Sequence, residues 1–304
     1  MAVSSPPVAA KRAGSAFGGT DLLMLLAVLF WGANITAVKL VFGVLTPLAF
    51  NALRFGLATA LLVLLVLWRE GSLAIDADLR WRAFWLGIVG NFAYQLAFLT
   101  GLSMTTAANT ALLVATTPIW LAIYEAARGQ QRPSARAWVG VSLSFLGALL
   151  VLASRGLHLS SDNLRGDLLV ILGAICWSAY TVGAKPLLER HSPLRVTAAT
   201  MMAGTPFLLL VGAPAALATD WGHLPPLGWG VILYSAVCSV VIAYWIWYSG
   251  VKQLGATRTG VYSNLVPVIG VAIAVGFGQE QLGALQVAGA LAILAGLWLT
   301  RRVS

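Results

Sequence analysis

Acidic side chains are scarce in this chain of 304 residues: ten, against nineteen lysines and arginines. They are Asp21, Glu70, Asp76, Asp78, Glu125, Asp162, Asp167, Glu189, Asp220 and Glu280, and none falls in the middle of an apolar run. Antiport of lipophilic cations needs a deep carboxylate that trades a proton for the cargo, so that chemistry is disfavoured. The three histidines, His158, His191 and His223, lie between apolar runs. A buried nucleophile–base pair or acid dyad is therefore not available, and no enzyme is expected. The two cysteines, Cys176 and Cys238, lie inside apolar runs and read as small buried hydrophobes rather than a disulfide. No His/Cys/Asp cluster has ligand spacing, and no phosphate-binding loop or hydrolase motif appears. Neither a metal nor a cofactor is expected. Residues 1–20, "MAVSSPPVAAKRAGSAFGGT", lack the apolar core of a signal peptide and read as a flexible cytoplasmic tail.

Charge of either sign is also rare. Charged residues make up 10% of the chain, against about 25% in globular proteins. What is present instead is apolar: 59% of residues are hydrophobic and the mean hydropathy is +0.86. A β-barrel would show short alternating segments, whereas here the apolar runs are about 17–22 residues long, the length of helical spans. The class is an all-α polytopic membrane protein. Breaks at charged and turn-rich points divide the chain into ten spans near 21–39, 47–68, 81–102, 107–125, 135–153, 166–184, 193–215, 228–249, 256–276 and 283–300.

With the N-terminus in the cytoplasm, 15 of the 19 Lys and Arg fall in inside loops and tails. Lys39, Arg155 and Arg165 fall outside, and Arg54 lies within a span. That bias sets the orientation, with both termini cytoplasmic. The net charge of +9 is thus topological, with some attraction to anionic membrane lipid, and nucleic acid is not an expected partner.

The chain writes itself twice. "FWGANITAVK" (30–39) returns as "CWSAYTVGAK" (176–185), 146 positions on. Asp21, Trp31, Lys39 and Pro47 recur as Asp167, Trp177, Lys185 and Pro193. Near an offset of 149, Gly101, Ala107, Pro118, Gly140 and Gly147 recur as Gly250, Ala256, Pro267, Gly289 and Gly296. The expected organisation is a five-helix unit over 21–155 and a second over 166–302. Five is odd, so the second unit threads the membrane in the opposite sense. That is the inverted-repeat plan of secondary transporters, with a substrate site near the midplane; duplication kept only for packing is the alternative.

The layout resembles the drug/metabolite transporter superfamily, and within it the ten-helix EamA-type exporters. The resemblance rests on "FWGANITAVK", "PLAFNALRF" at the start of the second span, "GLSMTTAANTALLVATTPIW" across spans three and four, "GVKQLGATRTGVYSNLVPVIG" across eight and nine, and "GQEQLGALQVAGALAILAGLWL" at the end. It covers residues 20–302. The family often has Glu before the last helix of each repeat; Glu280 fits, whereas the first half has Gln131. The resemblance implies the bacterial inner membrane and a cavity formed by spans 1, 3, 4, 6, 8 and 9. The Trp and Tyr content of those spans looks most like the aromatic amino-acid exporter branch. A drug, a sugar-nucleotide or a purine is the nearest rival cargo, and a non-transporting scaffold the rival class.

Helical spacing supplies the candidate faces. Trp31, Asn34 and Val38 share one in the first span; Trp177, Tyr180 and Ala184 share one in the sixth. The third span offers Asn91, Tyr94, Gln95 and Phe98, and the eighth Tyr244 and Tyr248. Each face either lines the cavity or packs against neighbours. Pro118 and Pro267 sit inside spans four and nine, where a missing donor makes a gating bend or a structural kink. Asn109, Tyr262 and Asn264 lie near them. Lys39 and Lys185 mark the two mouths, as snorkelling anchors or gates. Arg54, about 10 Å into its span at 1.5 Å per residue, is expected to be a structural charge that pairs with free carbonyls or reaches the outer interface. The glycine pairs Gly140/Gly147 and Gly289/Gly296 read as smooth packing stripes. The expected cargo is neutral or zwitterionic and aromatic or hydrophobic; no oligomeric state follows from the sequence.

Overall fold

The computed structural model describes residues 18–129, 134–153, 163–276 and 283–301, and among them there is no strand. The greater part of the tail, Gln131 and Glu280 lie outside the described residues. In chain order the helical stretches are α1 (Gly19–Val41), α2 (Pro47–Glu70), α3 (Ala77–Met104), α4 (Ala107–Val114 and Thr117–Ala127) and α5 (Ala135–Ala153). There follow α6 (Leu164–Arg190), α7 (Pro193–Leu217), α8 (Pro226–Leu254), α9 (Ala256–Val261, a tight turn Tyr262–Leu265, and Val266–Gly276) and α10 (Ala284–Arg301). Among the described residues seven of these are long and apolar enough to cross a membrane: α1 to α4 and α6 to α8. Shorter apolar helices occupy Ala135–Val151 and Ala284–Thr300.

Local chemistry sets the helix ends. The Thr46 hydroxyl accepts the Ala49 amide, and Pro47 occupies the first turn, where its missing N–H costs nothing. Ser192 and Pro193 repeat the device for α7, the serine accepting the Arg195 amide. Gly71, at φ 69°, ends α2 in the left-handed region that glycine tolerates. In α1 the Asp21 carboxylate accepts the Gly18 amide at 2.7 Å.

Four helices depart from regular α geometry, at matching places. α3 widens to π-helix over Ile88–Ala93 and α8 over Ser235–Ile242. α4 breaks between Val114 and Thr117, and α9 tightens over Tyr262–Leu265. Pro118 and Pro267 are therefore not interior kinks. Each sits in the first turn of the helical piece that follows the break.

Packing joins helices across the two stretches of sequence: α5 with α10, α2 with α7, α3 with α6, and α1 with α8. Backbones touch where the glycine stripes meet. A Cβ on Gly140 would lie 2.7 Å from the Gly296 carbonyl, and one on Gly289 2.5 Å from that of Gly147, so α5 and α10 are packing elements. Residues at equivalent places in the repeat also meet each other. Thr59 and Thr205 share a 2.7 Å hydrogen bond, Ser144 donates to the Ile293 carbonyl, and the rings of Trp31 and Trp177 stand 5.8 Å apart. Leucines such as Leu64, Leu210 and Leu291 are exposed, as on a surface that faces lipid rather than water.

Candidate functional site

A cavity opens where α1, α2, α3, α4, α6, α8 and α9 converge. Its volume of about 60 Å³, measured as room for water centres, is several times the roughly 10–15 Å³ that one water needs.

One wall is aromatic. Trp31 meets Trp177 edge-on, and Tyr94 and Tyr244 approach the Trp177 ring at 5.0 and 4.9 Å. The Trp31 indole donates to the Ser239 carbonyl at 2.9 Å, which fixes the ring and spends its polar atom. Phe98 and Val114 extend the apolar lining.

Beside it the lining is polar. The Gln95 amide nitrogen donates to the Tyr244 hydroxyl at 2.7 Å, joining two positions related by the repeat. Its amide oxygen accepts from the Arg54 guanidinium. That guanidinium also donates to Ser235 at 3.0 Å and to Asn51 at 3.1 Å, and it lies over the rings of Phe50 and Phe55 at 5.4 and 5.1 Å. Arg54 is 2% exposed. The sequence reading expected it to pair with free carbonyls or to reach the outer interface; instead it is buried among side chains. The arginine is fixed by side chains of α2, α3 and α8 and borders the cavity. Asn34 borders it as well, and its amide oxygen has no hydrogen-bond partner among the described residues.

The structure thus brings Trp31, Asn34, Tyr94, Gln95, Phe98, Trp177 and Tyr244 to one cavity, with Arg54. The remaining candidates lie elsewhere. Asn91 leaves the Tyr94–Gln95 face because it lies in the widened π turn, where i, i+4 spacing no longer holds; it donates to the Tyr180 hydroxyl at 3.3 Å. Tyr180 is fully buried, bonded to Thr200 at 2.6 Å and packed on Tyr248. Asn109 donates to Asp167, and the Tyr262 hydroxyl to Asp21, both at helix ends. Asn264 is fully buried and does not border the cavity. Lys39 donates to the Thr105 carbonyl, whose hydroxyl donates to Asp167, so this lysine ties helix ends together. Lys185 is half-buried at the end of the main run of α6.

Ser239 and Ser263 also line the cavity and were missed in the sequence. Thr117, which lines it too, is one of the threonines just before Pro118 that the sequence offers as substrate-binding or gating groups. The helix break carries Thr117 and Ser263 there. Ser239 shares a face with Tyr244, five residues on, through the π turns of α8. No sequence pattern announces the π turn that brings Ser239 to the cavity.

Comparisons with known proteins point in one direction. The family model described as the EamA-like transporter family matches residues 19–153 and again residues 164–302. The chain is 30% identical over 283 residues to the uncharacterized transporter YyaM of Bacillus subtilis (strain 168), covering 90% of this chain and 91% of that one. It is 30% identical over 284 residues to an uncharacterized transporter of Archaeoglobus fulgidus, covering 92% and 96%. A protein of known crystal structure superposes with a TM-score of 0.72 at 20% identity, over 92% of this chain and 96% of that one, which is a likeness of fold alone.

Proposed function

The chain belongs to the EamA-like transporter family, and we propose that it exports aromatic and hydrophobic amino acids and related small metabolites across the bacterial inner membrane. Transport proceeds by alternating access. Two five-helix halves, 21–155 and 166–302, thread the membrane in opposite senses, with ten crossings and both termini cytoplasmic, and rock about one central site.

The observation that carries the cargo assignment is the cluster of Trp31, Tyr94, Trp177 and Tyr244 on the cavity wall, beside the Asn34 and Gln95 amides. Such a wall stacks on an aromatic ring, and the amides take its polar end. The inverted arrangement is supported by the double match of the family model and by the contacts between equivalent residues, Thr59 with Thr205 and Gln95 with Tyr244. Contacts of this kind are what a two-fold axis between the halves would give.

The test is flux of labelled phenylalanine in proteoliposomes, with and without a pH gradient. Transport well above empty vesicles, reduced at least about tenfold by Trp177→Ala (the scale of a lost aromatic pair plus its buried area), is expected. Phenylalanine flux equal to empty vesicles would defeat the cargo assignment. Thiol-labelling of single cysteines in 127–133 and 160–165 tests the threading; labelling of both from one side would defeat it.

A further inference from the structure

Arg54 is the one charged side chain on the cavity wall among the described residues, and no carboxylate among them pairs with it. We propose that the cavity selects its ligands by a carboxylate, held at Arg54, while the aromatic wall takes an apolar body. The carboxylate is required and an ammonium group is dispensable, so aryl and alkyl carboxylates without an amine are ligands too. This rests on the reading of the cavity as the substrate site.

Three observations carry it. The partners of Arg54 are neutral. Asn51, Gln95 and Ser235 hold the guanidinium from three helices, and Phe50 and Phe55 face it, so it is positioned without being neutralised. A lone cation deep in a membrane protein is costly and marks a binding or conducting path more often than a brace. The repeat itself does not call for a charge here: the equivalent position 146 residues on is Thr200, which bonds to Tyr180.

The hydrogen-bonding capacity beside the cavity is also not exhausted. Among the described residues, Arg54 Nε is a buried donor without a hydrogen-bond partner. Guanidinium N–H groups match carboxylate oxygens in geometry and charge.

The wall holds no ionised acceptor for an ammonium among the described residues. The aromatic rings could attract a cation, but the fixed positive charge of Arg54 at the same cavity opposes it. Amino acids are therefore admitted by their acid group, and amines without one are not.

The experiment uses the full chain in lipid nanodiscs with labelled 3-phenylpropionate. Phenylalanine, 3-phenylpropanamide and phenylalaninamide serve as competitors. 3-Phenylpropionate is expected to bind and phenylalanine to displace it, and both carboxamides to be at least about tenfold weaker, the scale of one charge-assisted hydrogen bond. Arg54→Gln is expected to bring the carboxylate-to-carboxamide ratio toward one, and Arg54→Lys to keep part of it. A purely structural arginine would weaken all four ligands alike and leave that ratio unchanged. If Arg54→Gln does not fold, the wild-type ratio decides. Equal binding of acid and amide overturns the proposal and leaves the cavity as substrate site; binding of none of the four overturns both.

Discussion

The wall around Arg54 and its counterpart one repeat away occupy the same place in the fold and have opposite contents. At the first, Asn34, Arg54 and Ser239 surround open space. At the second, the equivalent residues are Tyr180, Thr200 and Gly90, and the Tyr180 side chain fills the place. The Tyr180 ring lies against Gly90, and its hydroxyl bonds to Thr200 and Asn91. Gln95 and Tyr244, themselves equivalent, join the two walls by their 2.7 Å hydrogen bond. The difference teaches that a duplicated framework does not make a duplicated site. The backbone repeats, down to the π turns of α3 and α8. The side chains leave the cavity open beside Asn34 and Arg54 and fill the equivalent place with the Tyr180 ring.

The contrast is broken most severely at Gly90. A Cβ there would lie 2.0 Å from Cγ of Tyr180, so Gly90→Ala must displace the ring that fills the second wall. Overpacking of this kind costs about 1–3 kcal/mol or more. A lower melting temperature in detergent is expected, and the double variant Gly90→Ala with Tyr180→Asn should recover much of it. An unchanged melting temperature for the single variant would mean that the second wall is not sealed by this contact.

Gln95→Leu attacks the link between the walls. It strips a partner from Arg54 and from the Tyr244 hydroxyl, both buried, at a cost of about 1–3 kcal/mol. Chemical denaturation in mild detergent measures the loss. Gln95→Glu, which keeps an acceptor for Arg54, should lose less stability and should also repel a carboxylate ligand. The smallest effect belongs to Thr200→Val. It removes one hydroxyl from the sealed wall, worth about 0.6 kcal/mol for an interhelical bond in a membrane. Ligand selectivity should not change, since Thr200 does not border the cavity; a change would mean that the two walls are coupled.

Much of this was legible before any coordinates. Spans could be read because a helix is the structure that satisfies its own backbone in lipid, and the long apolar runs leave little choice. Trp31, Trp177, Tyr94, Gln95 and Phe98 were found by spacing because α1, α6 and the second part of α3 are regular where those residues sit. Asn91 was misplaced by the π turn beside it. Asn109 and Tyr262 were drawn toward the cavity by their neighbourhood to the prolines, but carboxylates at helix ends hold them instead. The carboxylates in question, Asp167 and Asp21, stand far from them in sequence, and local patterns do not encode such pairs.

By itself, then, the sequence determined a bundle of apolar helices written twice, with its aromatic faces and its smooth glycine stripes. Periodicity and transfer free energy are properties of the chain and need no partner. Only the tertiary structure decided which of two equivalent walls stays open and that a buried arginine borders it. Those outcomes depend on which side chains from distant helices arrive at one point, and on whether a glycine or a serine meets them there.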